Sequence, residues 1–338
     1  MKHLSRVGLI LLLLSSFAVS LSAQDAETLT IYSGRSESLI APVLEQFTEA
    51  TGIEVEVRYA GTSEMAAQIL EEGDNSPADV FIAQDAGALG ALAKADLLAD
   101  LPESITEQVA NPAFASPDNV WVAISGRARV FVYNPAMLAE NDLELPASIL
   151  DLTGDEWAGL VGWAPENASF QSNVTAMRVL LGDDATIEWL EGMVANGTKS
   201  YPKNTPVVQA TIDGEIVGGL VNHYYLYRFL AEDPDIETTL HFFPGGDAGA
   251  LVNIAGAGIL KTSDKQTLAQ ELINYLLSEA GQTYFAEETY EYPVTADVEP
   301  SVEIIALADI EIPEIDLSDL DDLQGTLDII EDSGALDN

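Results

Sequence analysis

The sequence predicts an α/β protein of two lobes, each a mostly parallel sheet with flanking helices, joined by two extended hinge strands. Three observations carry this expectation. Strand-like and helix-like patterns alternate along the chain, as β-α-β units require. Removing a leader of 23 residues from 338 leaves about 315, more than one hydrophobic core usually serves. Two glycine-punctuated extended runs, 121–133 and 251–260, have the character of connections between lobes.

Taken in order, residues 1–6 are a short basic start, 7–14 an apolar run and 15–23 a small-residue stretch. That layout is a secretory signal peptide over residues 1–23, too short to span a bilayer, with cleavage near Ser22 to Gln24. The mature protein is expected to be periplasmic or secreted, with no membrane insertion after cleavage. Residues 29–32 read as a strand and 39–47 as an amphipathic helix closed by Thr51-Gly52; 53–59 alternate with the period of a half-buried strand. A helix opens at Thr62-Ser63-Glu64 and ends at Gly73, 79–83 is a short strand, and 86–95 a helix of small residues. In such sheets ligands sit beyond the carboxyl ends of the strands, here 33–36, 59–63 and 84–85.

Within 121–133, Arg127 and Arg129 fall on one face at i and i+2. Residues 165–170, 201–205 and the stretch Val221-Asn222-His223-Tyr224-Tyr225 are the segments expected to line a cleft. The acidic stretch from about residue 310, with Leu and Ile at mixed spacing, is expected to form helix packed on the second lobe. The lobes are expected to comprise residues 24–126 with 255–305, and 127–254 with 306–338.

Lys plus Arg total 13 against 56 Asp plus Glu, a formal net charge of -43. Nucleic acid and anionic membrane surfaces are therefore poor partners, because binding phosphate needs a basic face. Such a charge could concentrate cations loosely around the protein; solubility in a salty medium, where screening removes self-repulsion, is the plainer explanation. The absence of cysteine excludes disulfides, thiolate metal sites and a lipidated cysteine anchor. With three histidines, one in the leader, and no G-x-S-x-G or zinc-binding His pair, no enzyme is expected.

The tyrosine pair is the chemical centre of the chain. Adjacent phenols point to opposite faces of a strand, and on a helix they diverge by about 100°. A helix start could unite them, and the sequence offers one: 214–221 reads as an apolar strand, Asn222 as an N-cap, and 225–230 as helix. Phenolate is a hard anionic oxygen, so a pair suits a hard, highly charged cation such as Fe(III). Free tyrosine titrates near pH ~10, so only a strong Lewis acid displaces both protons at neutral pH. Taken alone, the dipeptide also fits one core aromatic beside one rim aromatic.

The order of motifs resembles the periplasmic ferric-iron-binding proteins, substrate-binding components of Fe(III) ABC importers within the type II, transferrin-like periplasmic binding proteins. The resemblance covers essentially the whole mature chain and rests on Tyr32-Ser33-Gly34-Arg35, Thr51-Gly52-Ile53-Glu54-Val55, Glu71-Glu72-Gly73, Ser76-Pro77-Ala78-Asp79-Val80-Phe81, Ser125-Gly126-Arg127-Ala128-Arg129-Val130, Asn222-His223-Tyr224-Tyr225, Asp247-Ala248-Gly249-Ala250-Leu251 and Glu291-Tyr292-Pro293. It implies that Tyr224 and Tyr225 are phenolate ligands of Fe(III). It implies a synergistic carbonate or phosphate held by Asn167, Ala168 and Ser169 at a helix start, by Asn204 and Asn222, and by Arg127 and Arg129. It also implies an ABC permease as partner and a monomer. Helix-start N–H groups with guanidinium are an anion site on physical grounds too.

Where the fullest members of that family supply a His and a Glu from the first lobe, this chain has Ser36 and Gln84. Neither is a good Fe(III) ligand. Their neighbours Glu37 and Asp85 could substitute, although a one-residue shift points a side chain elsewhere. Tyr59 and Tyr201 are candidates for a third phenol, and His223 is expected to orient or cap rather than bind. The competing reading is a binding protein of the same fold for an organic acid or a phosphate-containing anion, with the arginines as its primary site.

Overall fold

In the computed structural model, which describes residues 28–337, the alternating runs of the N-terminal part become three parallel strands with crossover helices. The signal peptide expected over residues 1–23 lies outside the described residues. The order is β1 (Thr28–Ser33), α1 (Glu37–Thr51), β2 (Glu54–Tyr59), α2 (Thr62–Glu72), β3 (Val80–Ala83) and α3 (Ala86–Lys94). β1 lies between β2 and β3 and is parallel to both. β2 alternates exposed and half-buried positions, as an edge strand should, whereas β3 is buried throughout and reads as a continuous apolar run.

After α4 (Glu103–Thr106) comes β4 (Val122–Tyr133), followed by α5 (Pro135–Glu140), β5 (Val161–Trp163), α6 (Ala168–Leu181), α7 (Asp183–Ala195) and β6 (Lys199–Ser200). The chain continues through α8 (Asn204–Ile212), β7 (Gly218–Asn222), α9 (Tyr224–Glu232), β8 (Thr239–His241), β9 (Val252–Ile259), α10 (Gln266–Leu277), α11 (Glu279–Glu288) and α12 (Leu323–Asp332). Among the described residues no helix is long and apolar enough to cross a membrane.

The strands join in the order β2-β1-β3-β9-β4-β7-β5-β6, with β8 on β4. β5 is parallel to β6 and β7, while β9 runs antiparallel to β3 and β4 antiparallel to β7. Each lobe is thus a parallel sheet with one antiparallel strand, the type II periplasmic binding protein fold. The two long runs are the shared strands: the N-terminal half of β4 pairs with β9 from Val122↔Ala257 to Ala128↔Val252, and its C-terminal half pairs with β7 from Arg129↔Asn222 onward. A register shift between Ala123 and Ser125 marks the approach to the arginines, where a bulge re-aims side chains.

Two buried clusters underlie this arrangement. One packs Leu29, Ile31, Val80 and Phe81 against Ile40 and Phe47 of α1. The other is aromatic, with Trp163 edge-on to Phe170 at 5.4 Å and Phe131 edge-on to Trp157 at 5.5 Å, the geometry ring quadrupoles favour.

The C-terminal stretch touches both lobes. Residues 317–320 lie so close to α3 that a Cβ at Gly87 would stand 2.1 Å from Leu320 O, and one at Gly90 2.4 Å from Ser318 O. Only glycine permits that backbone contact. α12 then packs on α6, where the Thr175 and Thr326 hydroxyls are 2.8 Å apart and Arg178 donates to Asp322.

Candidate metal centre

The carboxyl ends of the parallel strands of both lobes converge on one cavity of about 180 Å³. One wall holds Gly34 and Ser36 after β1, Leu39 on α1, and Gln84 and Asp85 after β3; the other holds Asn167, Ala168 and Ser169 after β5 and Tyr224 and Tyr225 after β7. Arg127 of β4 and Asn253 of β9 complete the lining. A larger cavity of about 420 Å³ adjoins it and shares Asp85 and Ala168, and its walls are mostly alanine and leucine.

The tyrosines open α9, and their ring centroids are 4.4 Å apart with planes inclined by 31°. The lead-in differs from the sequence expectation. β7 begins at Gly218 and runs through Asn222, so Asn222 is the last strand residue and not the helix cap. Its side chain instead accepts a hydrogen bond from Arg129 Nη1 at 3.1 Å, because pairing with β4 places the two opposite each other. Burial, then the neighbouring Tyr225, push the Tyr224 hydroxyl well above the ordinary phenol range.

His223 faces away from the cavity. Its Nδ1 accepts from Ala128 N at 3.2 Å, so the proton sits on Nε2, which donates to Tyr290 O at 2.9 Å. Burial pulls its pKa down to about 4. A neutral ring with both nitrogens engaged anchors the start of α9 and is not a free ligand.

Asn167, Ser169 and Asn204 form one hydrogen-bonded group and Arg129 with Asn222 another, while Arg127 belongs to neither. Asn167 caps α6 by accepting from Ser169 N at 3.0 Å, and Asn204 Nδ2 donates to Asn167 Oδ1 and Ser169 Oγ, both at 3.2 Å. Asn204 and Asn222 are thus one shell behind the cavity lining. Arg127 donates to Ile254 O at 2.9 Å, and Arg129 is buried with Nε and Nη2 unpartnered. Burial lowers the Arg129 pKa to about 10, an effect partly offset by Tyr225 and Tyr224. Unpartnered buried guanidinium nitrogens call for an anion or polar guest nearby.

On the first-lobe wall, Ser36 precedes α1 without capping it, and Gln84 Oε1 is buried without a partner. Asp85 caps α3 by accepting from Ala88 N at 3.2 Å, and burial pushes its carboxyl pKa up. Glu37, Tyr59 and Tyr201 do not line the cavity. Glu37 is exposed at the start of α1, Tyr59 ends the edge strand β2, and the Tyr201 hydroxyl donates to Glu215 at 3.0 Å. Among the described residues no cluster of three or more His, Cys, Asp or Glu could hold a metal ion, so a cation here would depend on the phenols.

Sequence reasoning missed Asn253 and the role of Glu291. Asn253 accepts from Ala86 N at 3.3 Å and donates to Ser172 Oγ at 2.9 Å, linking the starts of α3 and α6. Its signal was a lone polar residue in the apolar run of 251–260. Glu291 pairs with Arg35 at 2.8 Å and lies 3.9 Å from Arg127 Nε, all buried. Burial raises the Glu291 carboxyl, but Arg35 and Arg127 outweigh it and hold the pKa below the usual range.

Residues 43–312 match the family of bacterial extracellular solute-binding proteins. The chain is 35% identical over 311 residues to the major ferric iron-binding protein of Neisseria meningitidis serogroup B, covering 90% of this chain and 92% of that one. It is 33% identical over 340 residues to the Fe(3+)-binding periplasmic protein of Serratia marcescens, covering 99% of each. Among solved structures, iron-bound HitA from Pseudomonas aeruginosa superposes with a TM-score of 0.82 at 33% identity, over 91% of this chain and 99% of that one. The apo ferric ion-binding protein A of Pasteurella haemolytica superposes at 0.80 with 28% identity, over 91% and 98%. The matched family is one of solute-binding proteins rather than enzymes. By the span of that match and these identities, the chain belongs to the bacterial extracellular solute-binding protein family, alongside relatives named ferric iron-binding proteins.

Proposed function

We propose that the chain is the periplasmic binding component of an ABC importer, capturing Fe(III) between its lobes with a carbonate or phosphate anion and delivering it to a membrane permease. The observation that carries this reading is the Tyr224–Tyr225 pair, two phenols with ring centroids 4.4 Å apart on a cavity wall. Hard phenolate oxygens match a hard trivalent cation. Because burial holds Tyr224 protonated, its proton leaves when a strong Lewis acid takes its place. Arg127 and the Asn167 to Ser169 loop stand where an anion would complete the oxygen shell and offset charge. The names of the relatives reported above and the iron-bound structural neighbour support the same cargo.

In this reading the second lobe seizes the ion first. The lobes then close about β4 and β9, and the permease recognises the closed form. Protein purified without added chelator should carry iron and show a visible phenolate-to-iron charge-transfer band, which Tyr224→Phe should diminish. A colourless protein that instead retained organic acids or phosphate esters would turn the assignment to the anion alternative.

A further inference from the structure

Tyr224 and Tyr225 are consecutive on a helix, where neighbouring side chains leave the axis about 100° apart. Their rings nonetheless lie 4.4 Å apart. One position on α9 is a neighbour to both: i+4 from Tyr224 and i+3 from Tyr225, one turn along, where helical side chains meet. Arg228 occupies it. Its guanidinium carbon stands 5.1 Å from the Tyr224 ring centroid and 5.6 Å from that of Tyr225, within cation–π range of both. Among the described residues Arg228 forms no ion pair with an Asp or Glu, in a chain with 56 acidic and only 13 basic side chains. Its placement over the rings, away from the abundant carboxylates, calls for a reason connected with the rings.

We infer that Arg228 is a positioning residue for the tyrosine pair: it draws the two rings together and offsets the negative charge that bound cargo leaves on them. The inference rests on the ferric reading. With cargo in place, two phenolates and a divalent anion outnumber the charge on a trivalent ion by one. A guanidinium over the ring faces offsets that excess without occupying the metal's position at the oxygens. The planar guanidinium stacks on aromatic faces, whereas an ammonium is a compact, strongly hydrated point charge, so lysine keeps the charge and loses the stacking.

Full-length Arg228→Gln and Arg228→Lys separate these contributions. Arg228→Gln should weaken Fe(III) binding by about tenfold in citrate competition. It should also move the charge-transfer band to longer wavelength, since losing a nearby positive charge raises the filled phenolate orbitals toward those of iron. Arg228→Lys should recover part of the affinity and band position. In the metal-free protein both variants should lose near-UV circular dichroism from the ordered tyrosine pair. An Arg228→Gln protein with wild-type affinity and band position overturns the inference; should that variant not fold, Arg228→Lys with wholly wild-type spectra overturns it equally. If wild-type protein shows no iron band, the ferric reading itself has failed. The metal-free dichroism then judges the ring-holding role alone, and an unchanged spectrum in the variants rejects it.

Discussion

Each wall of the cavity is built where a parallel strand ends and a helix begins, yet the wall after β1 and β3 presents a hydroxyl, an amide and one carboxylate, while the wall after β5 and β7 presents two phenols and a capped loop. On the first wall the one charged oxygen donor, Asp85, is already engaged as the cap of α3. On the second, the donors converge from a helix start braced from behind by His223 and Arg129. The same topological position therefore carries very different donor strength. In the ferric reading proposed above, cargo charge would be met from one side, and closure of the other lobe would supply exclusion of water and shape more than new ligands.

The sharpest way to break that comparison is to disarm each wall in turn. Tyr224→Phe with Tyr225→Phe should abolish Fe(III) binding, because among the described residues the rest of the lining offers one carboxylate, Asp85, already engaged as a helix cap. Ser36→Ala with Asp85→Asn should cost only about tenfold, comparable to losing outer-shell support. Asn is itself a good N-cap, so α3 survives that change. Citrate competition on both variants decides the matter, and similar losses from the two walls would sink the asymmetry.

Behind the cavity lining lies a buried ion cluster, where Arg35 donates to Glu291 and Ser125, and Arg127 of the lining reaches toward the same carboxylate. Removing one partner leaves a charge buried without compensation. Arg35→Met should therefore destabilise the protein by about 3–5 kcal/mol, read from urea unfolding. The charge-transfer band of the surviving folded protein should keep its position, since Arg35 does not line the cavity. A shifted band would mean that the cluster also sets the geometry of the tyrosine wall.

What the sequence made legible were the features written in local pattern. The alternation of 53–59 matches the edge strand β2, the unbroken apolar run of 80–83 matches the buried β3, and the tyrosine dipeptide stood out against its apolar lead-in. What stayed hidden depended on partners distant in the chain. Arg35 and Glu291 are 256 positions apart, so no local period could pair them. Asn222 has the composition of a cap, but strand register set it opposite Arg129 and gave its side chain another task. Tyr201 looked like a spare phenol until Glu215, 14 residues on, took its hydroxyl. The weakness of the first wall, by contrast, was visible in Ser36 and Gln84 themselves.

The smallest change proposed acts on that weak wall. Gln84 Oε1 is buried with no partner, at the edge of the cavity and next to Asp85. Converting the amide to a carboxylate in Gln84→Glu places a second acid beside one whose pKa burial already raises. In the metal-free protein the two carboxyls repel, and the variant should be slightly less stable at neutral pH than at acid pH, where one of them is protonated. A trivalent cation reverses the sign, because it is drawn to the acidic pair that the empty protein disfavours. Fe(III) affinity should then rise by about tenfold, roughly 1.4 kcal/mol. Stability loss without cargo and affinity gain with it, measured by thermal melting and citrate competition, form a signature that a merely structural residue would not produce. If the affinity is unchanged while the metal-free protein is weakened, position 84 lies outside the reach of the ion and the first wall contributes even less than the comparison allows.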